Sequence, residues 1–73
     1  MNSKAIGRKL VNLRGDRTQK EVAAAIGTTE MAVSLYERGE RIPRDEIKLK
    51  IADYYHQSVS AIFFDQEVNQ MST

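Results

Sequence analysis

The stretch from Thr18 to Gly39 constrains this chain most, because it spells two short helices separated by a stop that glycine alone makes without strain. Thr18 can cap a first helix, and Glu21 three residues later completes the sequence of a capping box. Val22, Ala23 and Ile26 then recur at helical spacing on one face. Gly27 follows where a helix must end, since it enters the left-handed region with no Cβ clash. Thr28 and Thr29 are candidate N-caps for a second helix, Glu30 suits its first turn, and Val33 and Tyr36 are its inward positions. Gly39 stops that helix as Gly27 stops the first. Helices joined by so short a turn cross steeply, and the small residue needed at the crossing is Ala23.

The pattern Gln19, Ala23, Gly27, Val33, closed by Tyr36-Glu37-Arg38-Gly39, resembles the DNA-binding helix-turn-helix of the lambda-repressor-like (Cro/repressor, XRE) family. Members of that family are the standard illustration of how a second helix enters the major groove. The resemblance runs from about Ile6 to Phe64 and implies an all-α fold, a compact five-helix domain. Many relatives carry a longer connection between the first two helices. By resemblance Arg14, near the end of helix one, is the arginine that in the family often pairs with the glutamate before the closing glycine, here Glu37. Spacing leaves open a pair or two separately solvated charges.

Seventy-three residues make one small domain, near the lower limit for a self-sufficient core. Without cysteine there is neither a disulfide framework nor a thiolate metal site. No run of 18 apolar residues or signal-peptide core is present, so a soluble, cytoplasmic protein with no membrane association is expected. The tripeptide Arg14-Gly15-Asp16, which also occurs in cell-adhesion ligands, is then a coincidence. The net charge is only +1, but residues 1–50 hold all eleven Lys and Arg against seven acids, giving +4, while residues 51–73 hold three acids and no base, giving −3. Such asymmetry suits a cationic working face with a tail turned from it.

In chain order, helix one should run from Ser3 to Arg14, with Ile6, Leu10 and Leu13 as its apolar stripe. Pro43 makes Glu40 to Arg44 a loop. A fourth helix should span about Arg44 to Tyr55, turning Ile47, Ile51, Tyr54 and Tyr55 inward and leaving Lys48 and Asp53 wet. Ser58 can cap a last short helix through Phe64, with Val59, Ile62 and Phe63 closing the core. Residues 1–64 thus form the domain, and 65–73 read as a frayed tail.

Nothing here composes an enzyme. His56 has no ligand set or triad around it and belongs at the exposed end of helix four; no phosphate-cradling glycine loop, cofactor or small-molecule substrate is indicated. With Val33 and Tyr36 buried, Thr29, Glu30, Met31, Ser34 and Leu35 face outward, and the resemblance implies that these read base edges in double-stranded DNA. Gln19 matches a position that in relatives contacts the DNA backbone or first base pair, and glutamine can read adenine with both amide atoms. Arg38, Arg41 and Arg44, with Lys20 and Lys48, are candidate phosphate contacts. The reading face departs from the usual pattern in holding no Arg, Lys, Asn or Gln; its carboxylate suits cytosine N4, and Met31 and Leu35 suit thymine methyls. Some reliance on DNA shape follows. The implied function is a sequence-specific regulator, a repressor of phage, mobile-element or antitoxin type on a palindromic operator, acting as a homodimer. Helix five, with Phe64 and the acidic tail, is the candidate dimer surface. The alternative is a protein-interaction module using the same fold.

Overall fold

The computed structural model describes residues 2–64, and the expected tail at 65–73 lies outside them. Five helices follow in order: α1 (Ser3–Arg14), α2 (Gln19–Ile26), α3 (Glu30–Glu37), α4 (Asp45–Tyr55) and α5 (Val59–Phe63), with no strand among the described residues.

Local chemistry sets their ends. The side chains of Asn2, Thr18, Thr29 and Ser58 accept from the backbone N–H groups of Ala5, Glu21, Ala32 and Ala61, at 3.0, 3.0, 3.1 and 2.9 Å. Each satisfies one of the donors a helix start leaves orphaned. The box at Thr18 is only half realised, because no return bond from Glu21's carboxylate forms among the described residues. Gly27 lies in the left-handed region at φ 74°, and the Thr28 N–H reaches back to the Ala23 carbonyl at 2.9 Å. Gly39 repeats the device: φ is 74°, with Glu40 N–H on the Leu35 carbonyl at 3.0 Å. Helix α4 begins one residue later than expected, with Arg44 as an N-cap lacking a side-chain bond; Asp45 and Glu46 in its first turn offset the helix dipole instead. His56 ends it at φ 56°, a left-handed conformation outside glycine.

The core draws on every helix: Ile6 and Leu10, then Val22, Ala23 and Ile26, Ala32, Val33 and Tyr36, Ile47, Ile51, Ala52 and Tyr55, and finally Ile62 and Phe63. Leu13, Tyr54 and Val59 pack against it half-buried. Phe63 exposes no surface at all. Helix α1 packs on both α3 and α5, while α2 packs on α3 and α4. The α1–α3 approach is at backbone distance: a Cβ on buried Gly7 would collide with the Glu37 carbonyl and lie 3.0 Å from that of Tyr36.

Lys48 departs from expectation. It is buried, not wet, so it is no phosphate contact. Its position shares a helical face with Ile51, Ala52 and Tyr55, which turns it toward α5. Its methylenes run along apolar surface and its ammonium lies 5.7 and 5.6 Å from the ring centres of Phe63 and Phe64, 3.5 Å from the Asp45 carboxylate. Leu49, its neighbour on α4, is left outside, beside Val59 and Phe64.

Candidate nucleic-acid interface

Helix α3 presents its N-terminal turn to solvent because Ala32, Val33 and Tyr36 anchor the opposite side in the core. Thr29, Glu30 and Met31 are exposed, Met31 at 66%, whereas Ser34 and Leu35 are half-covered. Thr29 also serves as the helix cap, so its hydroxyl oxygen is already engaged by the Ala32 N–H and its O–H is the group left to offer.

The cations are distributed around this edge. Arg41 and Arg44 share a surface groove with Thr28 and Thr29, floored by Ala32, Tyr36, Ile42 and Ile47. This groove brings two loop arginines to the start of α3. Arg38 sits at the other end of the helix. Arg38 and Arg44 are exposed, with Nε 3.4 Å from Glu40 and 3.7 Å from Glu46. Exposed pairs of this kind contribute about 0–1 kcal/mol, so an incoming phosphate can displace either carboxylate. Arg41 is exposed and forms no ion pair or side-chain hydrogen bond among the described residues. Lys20 is exposed on the first turn of α2.

Behind the edge lies a buried polar hub. The Glu37 side chain is 5% exposed and accepts from two of the guanidinium nitrogens of Arg14, Nε at 2.7 Å and Nη2 at 3.1 Å. Two parallel bonds of opposite charge make this the strong form of the interaction. Those bonds hold the Arg14 guanidinium even more firmly protonated than usual, against a desolvation that opposes it. Arg14 also donates to the Arg17 carbonyl at 2.8 Å, which ties the α1–α2 turn to α3. The pairing that resemblance implied is therefore present. A third partner had no local signal: Gln19, half-buried at the first position of α2, donates Nε2 to Glu37 Oε1 at 2.9 Å. The Lys4 ammonium adds a bond to the Arg38 carbonyl at 3.0 Å, capping α3 from α1.

Nearby, the Arg17 guanidinium stands 5.3 and 5.7 Å from the ring centres of Tyr54 and Tyr55. Burial pushes the Tyr55 phenol up to about 12, with Glu37 adding to the effect and Arg17 and Arg14 opposing it. His56 is exposed, and no group of three His, Cys, Asp or Glu among the described residues is placed to hold a metal ion. No helix among them is long and apolar enough to cross a membrane.

A family model described as helix-turn-helix matches residues 8–62, three quarters of the chain, spanning all of α2, α3 and α4. No curated protein and no solved structure matches the chain.

Proposed function

Because the chain belongs to the lambda-repressor-like (XRE) helix-turn-helix family of DNA-binding regulators, we propose that it acts as a repressor of phage, mobile-element or antitoxin type in the cytoplasm, as a homodimer on a palindromic operator. Helix α3 enters the major groove and reads base edges with Thr29, Glu30, Met31, Ser34 and Leu35. Arg38, Arg41, Arg44 and Lys20 engage phosphates, which fix register without specifying sequence. The observation that carries this reading is the exposed N-terminal turn of α3 sharing its groove with Arg41 and Arg44. Base readers and backbone clamps are thereby within reach of one groove of the duplex.

One such domain covers few base pairs, so useful affinity calls for two copies on half-sites about 34–36 Å apart. The partner surface is the α4–α5 face, where Leu49 is 63% exposed beside Val59 and Phe64. The acidic segment expected to join it lies outside the described residues.

Selection of bound sequences from a random duplex pool tests the reading. The parent should return two inverted half-sites. Glu30→Gln removes a carboxylate that repels phosphates and supplies an adenine reader, so it should change one symmetric pair of positions and raise random-duplex affinity slightly. A logo indifferent to Glu30→Gln removes that residue from the reading set. No logo at all would favour the second reading, a protein-interaction module, for which the 66% exposed Met31 is the supporting feature.

A further inference from the structure

We propose that Glu37 is a positioning residue for DNA reading: it orients the Gln19 side-chain amide so that Gln19 recognises an adenine. The proposal rests on the DNA-reading assignment above and adds to it a residue that never touches DNA.

The orientation follows from what a carboxylate can do. An ionised carboxylate only accepts hydrogen bonds, and Glu37 Oε1 lies 2.9 Å from one atom of the Gln19 amide plane. That atom must be the nitrogen, since an amide oxygen there would oppose lone pair to lone pair. Glu37 cannot swing away to release it. Its side chain is 5% exposed and its two oxygens are pinned by Arg14 at 2.7 and 3.1 Å. The arginine is in turn fixed by the Arg17 carbonyl at 2.8 Å. A free glutamine samples both amide faces; this one is held in one of them.

What remains for DNA is determined by subtraction. Repulsion between Glu37 and Gln19 Oε1 favours donation from the N–H that points away from that oxygen. The other edge of the amide, one N–H beside one carbonyl oxygen, takes no hydrogen bond among the described residues, and Gln19 as a whole is half-exposed at the start of α2. A donor beside an acceptor matches the Hoogsteen edge of adenine, whose N7 accepts and whose N6 amino group donates. A phosphate, which only accepts, matches half of that edge and meets a repelling oxygen with the other half. Gln19 therefore specifies, in contrast to the arginines around it.

Sequence selection and side-chain NMR together test this. Gln19→Ala, at a half-exposed helix start, should keep the fold while losing an adenine preference of about tenfold at one symmetric pair of positions. Glu37→Gln, which lets the Gln19 amide turn over, should lose the same preference, and adding Gln19→Ala to it should cost nothing further. A merely structural Glu37 would instead weaken all duplexes alike and leave the preference intact, which overturns the proposal. The parent protein supplies a readout independent of any variant's folding: one Gln19 Nε2 proton should exchange with solvent at least tenfold more slowly than an exposed glutamine amide. Equal exchange of both protons overturns the proposal. A parent logo untouched by Gln19→Ala overturns this assignment alone, whereas a parent with no logo overturns the DNA-reading assignment and this one with it.

Discussion

Gly7→Ala should destabilise the fold although it improves a helix. Alanine in place of glycine within a helix normally gains about 1 kcal/mol. At position 7 the added methyl would collide with the Glu37 carbonyl oxygen and lie 3.0 Å from the Glu37 carbonyl carbon and the Tyr36 oxygen. All three are backbone atoms, so no side chain can turn aside; α1 or the last turn of α3 must move. Forced repacking of this kind costs about 1–3 kcal/mol, and a clash with backbone on both sides belongs at the top of that range. Subtracting the propensity gain leaves a net loss of about 2 kcal/mol, or roughly 8–16 °C in the thermal midpoint of a domain this small. Circular-dichroism melts of parent and variant measure it. A midpoint equal to or above the parent's would refute the close α1–α3 approach. Because the carbonyl struck belongs to Glu37, DNA affinity should fall with the midpoint.

Three further outcomes are expected. Ala23→Leu, at a 4% exposed position of α2 where it packs on α3, should lower the melting midpoint and DNA affinity together through about 1–3 kcal/mol of overpacking; an unchanged melt would mean the helices do not cross there. Arg41→Ala should weaken specific and random duplexes by similar factors and flatten the plot of log affinity against log salt by about 0.9; an unaltered slope would remove Arg41 from the backbone. The raised Tyr55 pKa means that the fold favours the neutral phenol, so its contribution is whole below pH about 10 and is lost as pH rises toward about 12. Urea midpoints should therefore fall less steeply across that window in Tyr55→Phe than in the parent, and parallel curves would refute the burial argument.

The features legible in the sequence are those whose causes lie within a few residues of one another. Thr18, Thr29 and Ser58 cap helices because the donor each accepts from is three residues ahead. Gly27 and Gly39 stop helices because φ is a property of one residue. The outward phase of Thr29, Glu30 and Met31 follows from Val33 and Tyr36 pointing inward on the same helix. Contacts between helices carry no such local trace. Gly7 reads in isolation as a weak spot in α1, and only the passage of α3 beside it explains its use. Lys48 reads as a wet lysine until α5 folds over it. Gln19 and Glu37 are 18 residues apart, and no spacing rule joins an α2 start to an α3 end.

Closure of the core by α5 sets a timetable for the nascent chain. Ile6, from the first helix, and Phe63, with no exposed surface in the last, belong to one core, and the Lys9 ammonium locks the two ends together on the Ala61 carbonyl at 2.6 Å. A five-residue helix has no stability alone and forms only by docking. At translation speeds of about 5–20 residues per second, roughly 3–11 s separate the synthesis of Ile6 from that of Phe63. Helix α3 ends at Glu37, 26 residues before Phe63, so for about 1–5 s of that interval it exists on an unfinished scaffold, its apolar side unsealed. A chain that stops before Phe63 thus leaves the apolar side of α3 open to solvent and to proteases.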